Sequence, residues 1–253
     1  SAAPIDYMAH RIESLASSVG ATYTVAGPLA GALASAGPAA SRLHFDSTNE
    51  FQAWLQIGSV HFVALFGGHG AATVRVREAG CTAAEGFDCK VITYGRPWRL
   101  DTQKDQADLA FLLVFQLQPD VIHSGTPCTK MCICGEKQLD EATKAQNDFT
   151  YTVCQHQVQT GRHASVENPE DSLLWKLDGS TTLFGRKEKP RPPWRFTTSH
   201  GCQLNMTYPG NDDPGAPMRK AQTWVSTFSL ESLQLMCRKP YAYLGCTHKH
   251  REI

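Results

Sequence analysis

Between His61 and Val166, short apolar runs alternate with longer runs of helical periodicity. The run His61–Phe66 predicts a buried strand, and Ala71–Ala79 predicts a helix that ends at Gly80. Further strands are predicted at Lys90–Tyr94, Asp120–Ser124 and His163–Val166, and further helices at Thr102–Gln118 and Gln138–Gly161. This alternation is typical of an α/β fold with a mostly parallel sheet and helices on both faces.

The flanking segments are less regular. Residues 1–45 are expected to form an arm, with an amphipathic helix at Ala2–Ser18 and a linker rich in Ala, Gly and Pro at Ala26–Ser41. Residues 46–253 are expected to form one domain. Its last part predicts strands at Gln203–Tyr208 and Gln222–Phe228 and a helix at Ser229–Arg238.

Composition narrows the function classes. The chain of 253 residues has a formal net charge of zero, which argues against coating nucleic acid by bulk charge. Nine cysteines in a chain of this length favour free thiols in a reducing compartment over a disulfide framework. No apolar run reaches membrane-spanning length and no signal-peptide pattern is seen, so we expect an intracellular protein, nuclear or cytoplasmic, without a membrane partner.

A glycine-rich loop, Phe66-Gly67-Gly68-His69-Gly70, lies between the first predicted strand and the first predicted helix. Such a loop lets the backbone approach a ligand closely, and a nucleotide-like cofactor is a frequent occupant. A plain strand-to-helix connection is the alternative. Asp101, which precedes a later helix, is a candidate for the adenine side of a cofactor.

Two further loops carry reactive side chains. Val121–Met131 (VIHSGTPCTKM) reads as a strand that ends in a loop stiffened by Pro127, with Cys128 at its tip. The alternative for Cys128 is a small buried cysteine at a strand end. Glu167-Asn168-Pro169 follows the next predicted strand, and a simple turn is its alternative.

The motifs F-G-G-H-G, T-P-C-T and E-N-P stand in one order at predicted strand ends. In this the chain resembles the cytosine-C5 DNA methyltransferases over about His61–Trp175. It looks closest to a divergent branch found in retrotransposon polyproteins, where Pro-Cys-Thr and Glu-Asn-Pro replace the commoner motifs and G-x-P-M-R-K (Gly215–Lys220) follows. The resemblance implies a Rossmann-like class I methyltransferase fold.

The resemblance also implies roles for residues. S-adenosylmethionine would bind Phe66, Gly67, Gly68, His69 and Gly70, with contributions from Asp101 and Pro127. Cys128 would add covalently to C6 of cytosine, and Glu167 would stabilise the ring at N3. The base would have to leave a duplex stack or arrive single-stranded. DNA is favoured over RNA as the substrate, and a polyprotein or recognition partner is a further expectation.

The segment Arg186–Arg195 (RKEKPRPPWR) is rich in basic residues and proline. An extended loop of this kind can touch phosphates with Arg and Lys and stack Trp on a base. The candidate nucleic-acid contacts are Arg186, Lys187, Arg191, Trp194, Arg195, Arg219 and Lys220. The alternative is a solvated loop with a buried tryptophan.

The histidine-rich tail offers Cys246, His248 and His250 as candidate ligands of a structural zinc ion, with a disordered basic tail as the alternative. Cys128, Cys132 and Cys134 form a C-x3-C-x-C pattern, but a metal there would consume the proposed nucleophile. Besides the methyltransferase, the sequence leaves open a catalytically degenerate nucleic-acid-binding module. This alternative is favoured because the Gln-x-Arg-x-Arg motif of the cytosine-C5 methyltransferases has no clean counterpart in the chain. A nicotinamide-dependent oxidoreductase is the weakest alternative.

Overall fold

The computed structural model describes residues 58–68, 70–132, 139–200 and 221–231. The strands are β1 (Phe62–Leu65), β2 (Val121–Ser124), β3 (His163–Pro169), β4 (Gly185–Arg186), β5 (Lys189–Pro190), β6 (Arg195–His200) and β7 (Ala221–Ser226). The α-helices are α1 (Ala71–Glu78), α2 (Gln103–Phe111), α3 (Glu141–Gln159) and α4 (Asp178–Leu183). A π-helical segment, Leu112–Leu117, continues α2, and a 3-10 helix spans Leu173–Lys176.

The main sheet has five strands in the order β1-β2-β3-β7-β6. It begins parallel, and β7 runs antiparallel to both of its neighbours, pairing Glu167 of β3 with Trp224 and Thr197 of β6 with the same residue. Strands β4 and β5 form a separate two-stranded hairpin. The α/β class expected from the sequence is therefore confirmed, and the sheet is mixed, compatible with a Rossmann-like arrangement.

The described residues fall into two compact units. The first unit holds those up to Ile122 together with Glu141–Arg162, and the second holds the remainder. The prediction of one domain over residues 46–253 stays a prediction.

In the first unit, α2 and its π-helical extension contribute their apolar face to the hydrophobic core. Four leucines that recur at helical spacing in the predicted helix Thr102–Gln118 are all buried: Leu109, Leu112, Leu113 and Leu117. Thr102 is the N-cap of helix α2, and its side chain accepts a hydrogen bond from the Asp105 N–H at 3.3 Å.

The predicted strand Lys90–Tyr94 is wrong. The segment beside β1 is instead 82–87, where Ala83 and Phe87 form parallel bridges with Phe62 and Leu65. Residues 90–94 turn because the Asp88 carboxylate accepts the Lys90 N–H at 2.8 Å and Tyr94 takes a left-handed backbone with φ 53°. A local side-chain acceptor thus competes with sheet pairing.

Other strand and helix predictions agree with the structure within a few residues, as α1, α2 with its π-helical extension, β2, α3, β3 and β7 show. Strand β3 is longer than expected, because it continues through Glu167, Asn168 and Pro169. The predicted arm over residues 1–45 and the strand at Gln203–Tyr208 lie outside the described residues, as does most of the helix at Ser229–Arg238.

Candidate active site

The glycine loop follows β1 at the point where the strand order reverses. On one edge of β1 lies the segment 82–87, and the Phe66 N–H donates to the Phe87 carbonyl at 2.9 Å. On the other edge lies β2, whose Val121 N–H donates to the His61 carbonyl at 2.9 Å. The chain visits 82–87 first and β2 second, so β1 is a topological switch point. In open α/β sheets, ligands bind outside the carboxyl ends of strands at such a point.

The loop backbone is held in a conformation that suits glycine. Phe66, Gly68 and Gly70 have φ of 54°, 54° and 74°, and the Gly70 N–H donates to the Gly67 carbonyl at 3.0 Å. A left-handed backbone costs an L-residue about 1–2 kcal/mol, so Phe66 at the start of the loop is strained. A Cβ added at Gly68 or Gly70 would meet no described atom within 4 Å. As far as the described part of the chain goes, the space beside both glycines is therefore open to a ligand.

Asp88 is a site residue that the sequence reasoning undervalued. Its Oδ2 accepts the Gly68 N–H at 2.9 Å and its Oδ1 accepts the Lys90 N–H at 2.8 Å, while the residue is 7% exposed. The carboxylate therefore fixes the glycine loop directly. The available signal was an acidic residue 20 positions after Gly68, the spacing of the ribose-contacting acid in dinucleotide folds. The sequence places Glu85 and Asp88 roughly where a ribose contact is expected. With the second strand predicted at Lys90–Tyr94, however, neither acid ends that strand, so neither is chosen as a site residue.

Helix α1 begins directly after the loop, at Ala71. Its N-cap, Gly70, makes no side-chain hydrogen bond, and the first turn contains no acidic residue. The first-turn amides of α1 thus receive no hydrogen bond from the N-cap residue's side chain, and they can donate to an anionic group such as a ligand carboxylate. Asp101 forms an ion pair with the exposed Arg99 at 3.1 Å, and its contact with a cofactor stays a prediction.

In the second unit, a hydrogen bond joins the Pro-Cys loop to the Glu-Asn-Pro strand. The Asn168 side-chain Nδ2 donates to the Thr126 carbonyl at 2.6 Å, and Asn168 is 1% exposed. The Ser124 and Thr126 hydroxyls lie 3.1 Å apart, also buried. The two motifs that the sequence placed on separate strands therefore meet at their carboxyl ends.

A tight turn follows Cys128. Its carbonyl accepts the Met131 N–H at 2.8 Å and the Cys132 N–H at 3.0 Å. Met131 is fully buried, and its own carbonyl accepts the Leu173 N–H at 2.7 Å. The loop is thus anchored before Cys128 by Asn168 and after it by Leu173, with the half-buried Cys128 between the two anchors. Pro127, also half-buried, directly precedes the thiol.

Glu167 and Asn168 point to opposite faces of β3, because side chains alternate along a strand. Glu167 is half-buried and lies opposite Trp224 of β7. On the same face, His123 hydrogen-bonds Ser165 Oγ at 3.0 Å and stacks on Trp224 with ring centroids 5.4 Å apart. Burial lowers the pKa of His123 from 6.5 to about 4, so this ring is neutral at physiological pH.

The basic segment Arg186–Arg195 contains both exposed and buried side chains. Arg186, Arg191 and Arg195 are exposed, and Lys187 pairs with Glu170 at 2.5 Å. Trp194 is 3% exposed and packs edge-on against Phe184 with ring centroids 4.7 Å apart. The structure thus agrees with the alternative of a buried tryptophan, and the expected stacking of Trp194 on a base is corrected, because core packing already uses its ring.

Several candidate residues lie outside the described residues: His69, Arg219, Lys220, Cys134, Cys246, His248 and His250. Their roles, including the structural zinc site, stay predictions. In the part of the chain that the structure describes, no group of three or more His, Cys, Asp or Glu side chains is placed to hold a metal ion. Nor, within that part, does any helix combine the length and apolar character needed to cross a membrane.

The sequence matches no protein-family model, and no curated protein is significantly similar to it. The methyltransferase resemblance therefore rests on the three motifs and their order along the chain.

Proposed function

We propose that this protein is an S-adenosylmethionine-dependent cytosine-C5 methyltransferase acting on nucleic acid, with DNA favoured over RNA. The observation that carries the proposal is the 2.6 Å hydrogen bond from Asn168 to Thr126. It joins the Glu-Asn-Pro and Thr-Pro-Cys motifs, which have no shared role in a plain α/β fold. In a covalent methyltransferase they supply the nucleophile and the acid that act on one base.

The residues of the first unit fit the cofactor. Among the described residues, no atom fills the space beside Gly68 and Gly70, so a ligand can approach the backbone closely. The first-turn amides of α1, which receive no hydrogen bond from the N-cap side chain, suit the carboxylate of the methionine part. When bound, S-adenosylmethionine supplies an electrophilic methyl group. Asp88 holds the loop in the receiving conformation through the Gly68 N–H.

The residues of the second unit carry the base chemistry. Cytosine C5 is a poor nucleophile until a thiolate adds to C6, and Cys128 is the thiol for that step. The two anchors of its loop limit the motion of the thiol, which lowers the entropic cost of reaching the attack geometry. Glu167, which is half-buried, is the carboxyl that would share a proton with ring N3.

A cytosine that carries fluorine at C5 tests the proposal. Methyl transfer to this base leaves no removable proton, so enzyme and nucleic acid stay covalently joined. Wild type with cofactor should form this adduct, and Cys128→Ser should abolish it, since a serine hydroxyl is far less ionised at neutral pH. Glu167→Gln should slow adduct formation and leave cofactor affinity unchanged. Absence of the adduct with wild type, on both single- and double-stranded substrate, would reject the catalytic proposal.

The second candidate is a nucleic-acid-binding module without catalysis. The exposed Arg186, Arg191 and Arg195 favour it, because phosphate contacts need accessible cations and no pocket. Calorimetry distinguishes the candidates: the binding module should bind oligonucleotide without binding S-adenosylmethionine. The methyltransferase should bind both.

A further inference from the structure

The turn that follows the Pro-Cys loop contains a second cysteine, Cys132, four residues after Cys128. Cys132 N–H donates to the Cys128 carbonyl at 3.0 Å, the i to i+4 bond of one helical turn. Side chains four residues apart on such a turn lie on the same face. Both cysteines are half-buried, and no described cysteine forms a disulfide.

We propose that Cys128 and Cys132 form an oxidative modification site, in which a hydroperoxide converts the two thiols to a reversible intramolecular disulfide. The formation of the disulfide does not depend on the proposed function. Its consequence, loss of methyl transfer, does rest on the role proposed for Cys128.

The geometry of the turn permits a disulfide between Cys128 and Cys132, and that disulfide would be strained. Four residues of helical rise place the Cα atoms about 6 Å apart, within the range of about 4.4–6.8 Å that disulfides span. The Cβ atoms of such a pair lie about 5–6 Å apart and must approach to about 3.5–4.5 Å. The turn can tighten, because the Met131 N–H also donates to the Cys128 carbonyl at 2.8 Å. A strained disulfide is easily reduced, which is the property of a reversible site.

The chemistry balances with one hydroperoxide. The Cys128 thiolate sulfur attacks the terminal peroxide oxygen and breaks the O–O bond, giving a sulfenic acid and an alcohol, or water when the oxidant is hydrogen peroxide. The Cys132 sulfur then attacks the Cys128 sulfur. The S–O bond breaks, and water leaves with the thiol proton. A dithiol such as dithiothreitol restores both thiols by exchange.

The other described cysteines differ in their surroundings. Burial raises the pKa of Cys154 to about 12, so this thiol stays protonated and unreactive. Cys81 and Cys89 are exposed, and burial together with the Asp88 charge raises the pKa of Cys89. Cys81 is a suitable control position because it is exposed and far from Cys128 in the sequence.

Digestion with trypsin allows the disulfide between Cys128 and Cys132 to be detected directly. Trypsin cleaves after Lys130, so Cys128 lies in peptide 105–130 and Cys132 in peptide 131–137, which also holds Cys134. The intact protein is treated with hydrogen peroxide, remaining thiols are alkylated in denaturant, and the digest is analysed by mass spectrometry. We expect the two peptides joined, with a mass about 2 Da below their sum, and separated again by dithiothreitol.

Variants identify the partner thiol. The cross-link should persist in Cys134→Ser and in the control Cys81→Ser, and it should disappear in Cys132→Ser. A cross-link that survives in Cys132→Ser would overturn the proposal in favour of Cys134. Wild type that yields only the sulfinic or sulfonic form of Cys128 would overturn it as well. Equal melting temperatures of the reduced variants exclude a folding defect as the cause.

A separate arm follows adduct formation with 5-fluorocytosine. Reduced wild type should form the adduct, oxidised wild type should lose it, and dithiothreitol should restore it fully. In Cys132→Ser the reduced activity should match wild type. Without a resolving thiol, part of the Cys128 sulfenic acid should oxidise further to sulfinic acid, so dithiothreitol should restore activity only in part. If oxidised wild type carries the cross-link and still forms the adduct, the regulatory consequence is refuted. If reduced wild type forms no adduct, the proposed function fails, and the digest still decides the disulfide.

Discussion

Asn168 offers the sharpest test of how the Pro-Cys loop is held. Asn168→Ala removes the donor of a 2.6 Å bond at a site with 1% exposure. Losing one partner of a buried neutral hydrogen bond costs about 1–3 kcal/mol. In a domain of this size, each kcal/mol lowers the melting temperature by about 2–4 °C, so a decrease of roughly 2–12 °C is expected.

Stability alone would not separate a loop anchor from any other buried residue, so Cys128 reactivity is the second measurement. Peptide 105–130 contains Cys128 and no other cysteine, so its alkylation by iodoacetamide reports that thiol alone. Loosening the loop in Asn168→Ala should raise the alkylation rate at fixed pH severalfold. The matched control is Ser165→Ala on the same strand, which removes the 3.0 Å contact with His123 and leaves Thr126 untouched.

The isosteric variant Asn168→Asp sharpens the test further. It keeps the volume of the side chain but places a carboxylate oxygen against the Thr126 carbonyl. The repulsion should raise the pKa of the new carboxyl and destabilise the protein at neutral pH. Below that pKa the protonated acid can donate to Thr126, so the loss relative to wild type should shrink as pH falls. Equal Cys128 alkylation rates in Asn168→Ala and Ser165→Ala would refute the anchoring argument, whatever the melting temperatures show.

Three further predictions follow from the described contacts. Asp88→Asn replaces one of two N–H-accepting oxygens with an amide donor, so it should cost about 1–3 kcal/mol in denaturant unfolding and weaken S-adenosylmethionine binding in calorimetry. His123 has a folded-state pKa of about 4 against 6.5 when unfolded, so its stabilisation is present above pH 6.5 and is lost as pH falls towards 4. The loss should reach up to about 3 kcal/mol, and His123→Phe should flatten this part of the pH–stability curve. Arg191→Ala should weaken oligonucleotide binding and reduce the salt slope by about 1, whereas Trp194→Phe should leave that slope unchanged.

The sequence predicts best those elements whose periodicity is set by burial. The four leucines of α2 and its π-helical extension recur at helical spacing because they face one core, and all four are buried. Strand β2 contains the β-branched residues Val121 and Ile122, which favour a strand. The predicted strand ends at Ser124, as the observed strand does. In both cases the local pattern and the tertiary packing require the same structure.

The failures have a tertiary cause. The strand expected at Lys90–Tyr94 has strand-like residues, but Asp88 captures the Lys90 N–H and starts a turn instead. The segment that pairs with β1 is 82–87, whose glycine and acidic residue make it a poor strand on propensity alone. For Trp194, in a basic, proline-rich stretch, the sequence leaves both a base-stacking and a buried ring open, and the contact with Phe184 decides for the buried one. No local pattern reports such a partner.

The alternation of β3 explains why the order of Glu167 and Asn168 matters. Because neighbouring side chains leave a strand on opposite faces, only one of the two can reach Thr126, and that one is Asn168. Glu167 is then placed on the face of His123, Ser165 and Trp224. An amide suits the first position, since it must donate to a carbonyl. A carboxyl suits the second, since it must exchange a proton.

Inverting the pair, with Glu167→Asn and Asn168→Glu together, keeps composition and charge but puts each group on the wrong face. The inverted protein should therefore lose both the restraint on Cys128 alkylation and the fluorocytosine adduct, whereas a strand that served only as scaffold would retain the restraint.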